Sequence, residues 1–387
     1  MIAGMELGHG TGPLRGVRVV ELAGIGPGPH ACTILADLGA DVIRVDRPGG
    51  QLLVGGRTDL LTRGRPSVAL DLKQPAAIET VLTLVEGADV VVEGMRPGVA
   101  ERLGLGPDQC RARNPRLVYG RMTGWGQDGP LALAAGHDLT YLAITGVLHG
   151  LGQDPDRPQF PVNLLGDFGG GSTYLVIGLL AALLEARLSG EGQVVDAAIV
   201  DGASHLNLMA AGMLASGSLT ERRGTNLLDG GAPFYGLYRT SDDRWVAVGA
   251  LEPQFFATLL RMLEIEDECP GQFELERYDE MRALLERTFA TRSMTEWAEL
   301  FEGTDGCVAP VLTPTEAIEH PHLAERDTFI ELDGIRQPAP APRFDRTRPS
   351  VTKPPAESAG AHTTTALEAW GIDDVDALIA SGAAFQA

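Results

Sequence analysis

Cysteine is scarce in this chain: Cys32, Cys110, Cys269 and Cys307 are the four in 387 residues, and no two have a C-x-x-C spacing. That spacing argues against a zinc ribbon or a redox dithiol. Four cysteines in so long a chain do not make a disulfide framework either. Lysine is almost missing, with Lys73 and Lys353 the two examples beside many arginines. Positive charge is in deficit overall, 31 basic against 52 acidic residues, for a net charge of −21. A chain so acidic lacks the basic face that displaces counterions from nucleic acid or docks on anionic lipid. A small anionic ligand stays open, because local fields decide its binding. Long apolar runs are also missing. The most apolar stretch, residues 174–184, is about half of the roughly 20 residues a membrane span needs, and it predicts a buried helix. Residues 1–16 show no basic region followed by an apolar one, and the ending AFQA carries no peroxisomal or prenylation signal. A reduced, cytoplasmic setting is the expectation.

What is present is globular: 44% hydrophobic and 21% charged residues. Strands are predicted at 17–22 (VRVVEL), 41–46 (DVIRVD), 67–72, 89–93 (DVVVE) and 117–121, with helices at 30–38 and 76–85 between them. Continuous apolar strands alternating with helices imply an α/β fold, a parallel sheet covered on both faces. Further on, 234–240 and 244–250 predict a hairpin, followed by helix from Pro253 and within 278–301, a smaller α+β unit. Residues 337–355 are proline-rich, and 363–378 predict a short helical end.

The turn GIGPGP at 24–29, between a strand and a helix and about 20 residues before Asp46, is reminiscent of a dinucleotide fingerprint. Its spacing is wrong, however, and Pro27 and Pro29 lack the N–H groups a pyrophosphate uses. Three other segments place ionisable groups where helices begin. His137 stands at a helix N-terminus with Asp138 expected as N-cap, a setting suited to an oxyanion, though on this segment alone an ordinary cap beside an incidental histidine is the better reading. Asp167, in the apolar and glycine setting GDFGGG, predicts a desolvated carboxyl with a raised pKa, fit for a proton carrier or a nucleophile, unless it too is a cap. Glu252 precedes Pro253 where a strand hands over to a helix, able to orient a histidine or to cap. Arg44, Arg47, Lys73, Arg96 and Arg102 gather near predicted strand ends, where ligands of doubly wound sheets bind, and offer a place for phosphates. Ser172 and Ser204 lack a G-x-S-x-G elbow, so a hydrolase triad has little support.

Taken together, GVRVVEL (16–22) with LADLGADVIRVDRPG, AGHD (135–138), GDFGGG (166–171), GQVVDAAIVDG (192–202) and LDGGAPFYGLYRT (228–240) resemble the family III CoA-transferases. AGHD together with GALEPQF (249–255) is similar to the α-methylacyl-CoA racemase branch of that family. The resemblance runs from about Pro13 to Arg346, with residues 49–66 departing from the pattern.

The resemblance implies an interlocked homodimer. A Rossmann-like doubly wound large domain would take residues 1–195 and 320–387, and a smaller α+β domain residues 225–300, with linkers at 196–224 and 301–319. The active site would lie between the large domain of one subunit and the small domain of the other. The implied CoA contacts are Arg47, the segment Leu70, Asp71, Leu72 and Lys73, Arg102, and Gly136 and Tyr141 around the thioester. His137 and Asp167 match the proton-transfer pair and Glu252 the carboxylate that holds the histidine. Asp138 matches the residue whose backbone N–H faces the thioester oxygen. The implied activity is inversion of the 2-methyl centre of an acyl-CoA through an enolate. The substrate itself carries coenzyme A, and no metal, other cofactor, nucleic acid or membrane is required. Two alternatives remain: a CoA-transferase in which Asp167 attacks the thioester, and a silent CoA-binding protein.

Overall fold

The chain is described from a computed structural model covering residues 7–50 and 55–387. Residues 1–6, part of the 1–16 stretch without leader character, and 51–54, within the divergent 49–66 stretch, lie outside the described residues. In chain order the elements begin β1 (Arg18–Leu22), α1 (Pro27–Asp37), β2 (Asp41–Asp46), β3 (Ser67–Leu70), α2 (Pro75–Glu86), β4 (Val90–Glu93), α3 (Val99–Arg102), α4 (Pro107–Arg113), β5 (Val118–Thr123) and α5 (Asp138–Ile144). A π-helical segment (Leu164–Ser172) then runs into α6 (Thr173–Ser189), followed by β6 (Val194–Ala198), α7 (Ile199–Leu206) and α8 (Leu208–Ser216). β7 (Tyr235–Arg239), β8 (Trp245–Gly249), α9 (Pro253–Leu263), α10 (Tyr278–Phe289), α11 (Met294–Phe301), β9 (Val308–Pro310), α12 (Pro314–Glu319) and α13 (Pro321–Glu325) come next. The hairpin β10 (Phe329–Leu332) and β11 (Ile335–Pro338), then α14 (Thr363–Ala369), α15 (Val375–Ala380) and β12 (Ala384–Phe385), complete the series.

Two compact units emerge. The first comprises Met1–Thr145, Pro161–Leu206 and Glu325–Ala387; the second comprises Gly146–Phe160 and Asn207–Ala324. Residues 146–160, expected with the large domain, group with the second unit because the buried Arg223 binds three of their carbonyls. Its Nε reaches Asp154 O at 2.8 Å, its Nη2 reaches Pro155 O at 3.1 Å, and its Nη1 bonds His149 O. Residues 196–206, expected as linker, are instead the end of β6 and α7 of the first unit. The second unit is built on the antiparallel sheet β7-β8-β9, whose core includes Phe234, Tyr238, Phe289 and Trp297.

The first unit holds a seven-stranded sheet in the order β12-β3-β2-β1-β4-β5-β6. Its strands are parallel except β12, which runs antiparallel to β3. Val19, Val20, Ile43, Val68 and Val90 have no exposed surface, as strands covered on both faces require. β1 pairs with β2 on one side and β4 on the other, so the chain reverses its direction of growth there. That reversal opens a crevice at the carboxyl ends of β1 and β4, lined by Leu22, Gly24, Ile25, Pro27, Gly94 and Met122. Helix α1 starts at Pro27, three residues before the predicted start, because proline fits the first helical position, which needs no N–H.

The π segment and α6 together make a 26-residue helical stretch, Leu164–Ser189, much longer than the apolar run at 174–184. It is the one described helix long and apolar enough, by length and composition, to cross a membrane. Leu175, Leu179, Ala182 and Leu183 of α6 are nevertheless buried in the first unit. Gly120 of β5 permits this approach, since a Cβ there would stand 2.8 Å from Leu179 Cδ2.

Beneath the crevice lies a buried ion network. Glu21, 1% exposed, accepts from Arg44 and, at 2.8 Å, from Arg65 Nη1. Arg65 also bonds Pro29 O (2.9 Å), Thr33 Oγ1 (3.0 Å) and Leu61 O, tying α1 to the segment before β3. Arg44 also donates to Asp46 at 3.0 Å. Arg44 is therefore a core ion and not one of the phosphate-facing arginines the sequence offered. Glu21→Gln leaves the buried Arg65 without its carboxylate and Arg44 with Asp46 alone, and should cost about 3–5 kcal/mol in urea unfolding. The double variant Glu21→Gln/Arg65→Met should cost less than the sum of the single changes.

Candidate active site

Asp167 sits in the π segment. There the Phe168 N–H reaches Asn163 O and the Thr173 N–H reaches Phe168 O, both five residues back. Such wide turns are rare and concentrate at functional sites. Glycines make this one possible: a Cβ on Gly170 would stand 2.6 Å from Ala203 N, and one on Gly166 would collide with the Asp138 carboxylate.

That carboxylate is the central contact of the site. Asp138, 7% exposed, accepts the Asp167 backbone N–H at 2.7 Å through Oδ2, while its Oδ1 is buried with no hydrogen-bond partner. Asp138 is consequently not the N-cap of α5. His137 takes the capping position, with its N–H donated to Thr140 Oγ1 at 3.0 Å and its carbonyl accepting the Thr140 N–H at 2.8 Å. The expectation failed because Asp138 finds a distant backbone donor in place of its own helix. The N–H groups of Asp138 and Leu139 bond no backbone carbonyl among the described residues, as the first turn of a helix leaves them. The His137 side chain is exposed.

Burial pushes the Asp167 carboxyl above its ordinary value of 3.8, and the neighbouring Asp138 charge adds to the rise. A hydrogen bond from Asn163 Nδ2 to Oδ2 at 3.3 Å and the charge on His137 oppose it. Oδ2 lies over the start of α1, where a Cβ on Gly26 would stand 3.4 Å away. Gly26 has φ 69°, where a side chain would be strained. Asn163 lies outside the GDFGGG motif, and its spacing of four residues before Asp167 is the one signal in the sequence for its role.

Tyr141, 8% exposed, stands edge-on to Trp125 at 4.7 Å between ring centroids. Its ring fills the space over Gly124 and Gly136, where any Cβ would strike it, so Gly136 has a packing role of its own. Burial raises the Tyr141 pKa, Asp167 raises it further and Arg96 opposes, which puts all three groups within electrostatic reach. Arg47, just past β2, is exposed, as are Lys73 and Arg102. The Leu70 side chain belongs to the core, so only Asp71, Leu72 and Lys73 of that segment present surface. Glu252 belongs to the second unit. It holds the N-cap position of α9 and is exposed, but its side chain makes no capping bond.

The family model for CoA-transferase family III matches residues 14–363. The chain is 44% identical over 370 residues to α-methylacyl-CoA racemase of Mus musculus, covering 94% of this chain and 95% of that protein. It is 42% identical over 362 residues to the Homo sapiens protein of the same name, covering 92% and 93%. A solved CAIB/BAIF family protein from Brucella suis superposes with a TM-score of 0.79 at 26% identity, covering 93% of this chain and 100% of that one. With a doubly wound sheet, an inserted antiparallel unit and these matches across most of its length, the chain belongs to CoA-transferase family III.

Proposed function

We propose that this chain inverts the 2-methyl centre of acyl-CoA thioesters by 1,1-proton transfer. The observation that carries the proposal is the Asp138 carboxylate on the Asp167 amide, which holds the residue next to His137 against the backbone of Asp167. The relatives at 42–44% identity bear the name of that activity.

In this scheme His137 removes the α-proton from one face, and the C–H electron pair moves toward the thioester oxygen as an enolate. Asp167, kept partly protonated by burial, returns a proton to the other face; the reverse reaction exchanges the two roles. The free N–H groups of Asp138 and Leu139 face the enolate oxygen, an interaction worth roughly 3–4 kcal/mol per donor. Arg47, Asp71, Leu72, Lys73 and Arg102 hold coenzyme A, with Gly136 and Tyr141 beside the thioester. No metal or redox cofactor takes part.

Glu252 acts in an interlocked homodimer, where the partner subunit's Glu252 orients His137 as a carboxylate orients imidazole in a triad. Its unused capping position supports this, and so does apolar surface on α6 and α8. Ile177, Leu184 and Leu188 are 56–78% exposed, and α8 has no buried residue.

One epimer of a 2-methylacyl-CoA in deuterated water, without an acceptor acid, should be inverted with deuterium at the α-carbon. CoA transfer to an added carboxylic acid without inversion would make Asp167 a nucleophile instead. His137→Ala and Asp167→Ala should each lower the inversion rate by about 10²–10⁴-fold while binding of CoA, measured by calorimetry, persists. Arg47→Ala should mainly raise KM. The raised Asp167 pKa also makes a stability prediction. Below 3.8 the carboxyl is protonated in folded and unfolded chains alike; above it the unfolded chain ionises first, so the wild type loses stability until the pH passes the folded value. Asp167→Asn is free of that loss, so its Tm should match the wild type in acid and exceed it at neutral pH.

A further inference from the structure

The π segment does not determine its own register. Four of its nine residues are glycine, which leaves its backbone unusually free. Besides the Asp138 bond to the Asp167 amide, two sets of contacts restrain it from outside. On one side Gly170 and Gly171 lie against α7, with Ala203 and Ile199 filling the space a Cβ would need. On the other side lies a single turn of α1. Gly26 faces the Asp167 carboxylate, Pro27 faces Gly171, and His30, whose N–H bonds Gly26 O at 3.2 Å, reaches the residues just past Asp167.

The contacts of His30 are specific. Its Nδ1 lies 2.6 Å from Ser172 Oγ, and its ring packs on Phe168 with centroids 4.3 Å apart. Ser172 is fully buried, and its one hydroxyl proton goes to Phe168 O at 2.9 Å. Ser172 Oγ therefore accepts from His30, which places the imidazole proton on Nδ1. Burial and the charges of Arg65 and Arg63 lower the His30 pKa, in keeping with a neutral ring. Phe168 O is the carbonyl that closes the wide turn with the Thr173 N–H. His30 thus touches the segment at the side chain that follows Asp167 and, through Ser172, at the carbonyl that defines the π turn.

We propose that His30 is a positioning residue for Asp167: its Nδ1–H bond to Ser172 and its packing on Phe168 hold the π segment in the register that keeps the Asp167 carboxyl over Gly26. The proposal rests on the two-base inversion above. It assigns His30 no proton transfer and no contact with substrate.

The test compares His30→Ala, His30→Asn and Ser172→Ala with the wild type in the deuterium assay, with melting curves to establish folding. Displacement of a catalytic group by about 1 Å costs up to roughly a hundredfold, so His30→Ala and Ser172→Ala should each lower kcat for inversion by about tenfold or more with KM little changed. The loss should fall on one face. The epimer whose α-proton meets His137 should still exchange with retention, while exchange from the other epimer slows in step with inversion. His30→Asn, whose Nδ2 can replace the Nδ1 donor, should recover much of the rate. Ser172→Ala keeps the apolar packing, so it serves if His30→Ala does not fold. Full inversion rates in folded His30→Ala or Ser172→Ala, or equal slowing of exchange from both epimers, would overturn the role of His30 alone. A wild-type chain that neither inverts nor exchanges would overturn the two-base scheme and the His30 role with it.

Discussion

The site depends on a single hydrogen bond between segments 29 residues apart in the chain, from the Asp167 amide to the Asp138 carboxylate. A carboxylate can make that bond only if nothing stands over the preceding peptide, and Gly166 leaves the space clear. The bond links the start of α5 to the π segment, so an exposed imidazole and a half-buried carboxyl become parts of one rigid arrangement. It also sets a second negative group beside Asp167, which adds to the rise in its pKa that burial chiefly causes.

The sheet explains why this arrangement lies where it does. The strand order reverses between the paired β1 and β4, and the turn after β1 leads into the first turn of α1 beside Asp167. In dinucleotide-binding proteins that helix start cradles a pyrophosphate. Here Pro27 removes one donor, Pro29 removes another, and a carboxylate occupies the space above Gly26. The helix start here faces a carboxyl where those proteins hold a phosphate. The ions that remain under the turn, Glu21 with Arg44 and Arg65, are consumed internally and brace α1 from below.

Much of this was legible in the residues. VRVVEL, DVIRVD and DVVVE announce central parallel strands because both faces of each are apolar, and the doubly wound order follows from their alternation with helices. GDFGGG announced a carboxyl in a desolvated setting. Other features depend on partners that sequence spacing does not display. Arg44 reads as a candidate phosphate ligand until β1 and β2 pair in register and bring it opposite Glu21. Asp138 reads as a cap until a distant amide claims it. The π turn has no apolar period of its own, and β6 escapes notice because its outer residues are exposed at the sheet edge. Ser172 lacks the elbow of a nucleophile, and its role as a buried hydrogen-bond acceptor depends on a histidine 142 residues away.

Strand β12 has a consequence for how the molecule is made. Ala384 pairs with Leu70, so the outer edge of the parallel sheet is completed by residues translated more than three hundred positions after the strand they protect. At about 5–20 residues per second, β3 waits tens of seconds on the ribosome for that neighbour. Through that interval the nascent sheet carries an open edge, the kind of surface that recruits foreign strands. Completion of that edge is therefore among the last events in making the fold.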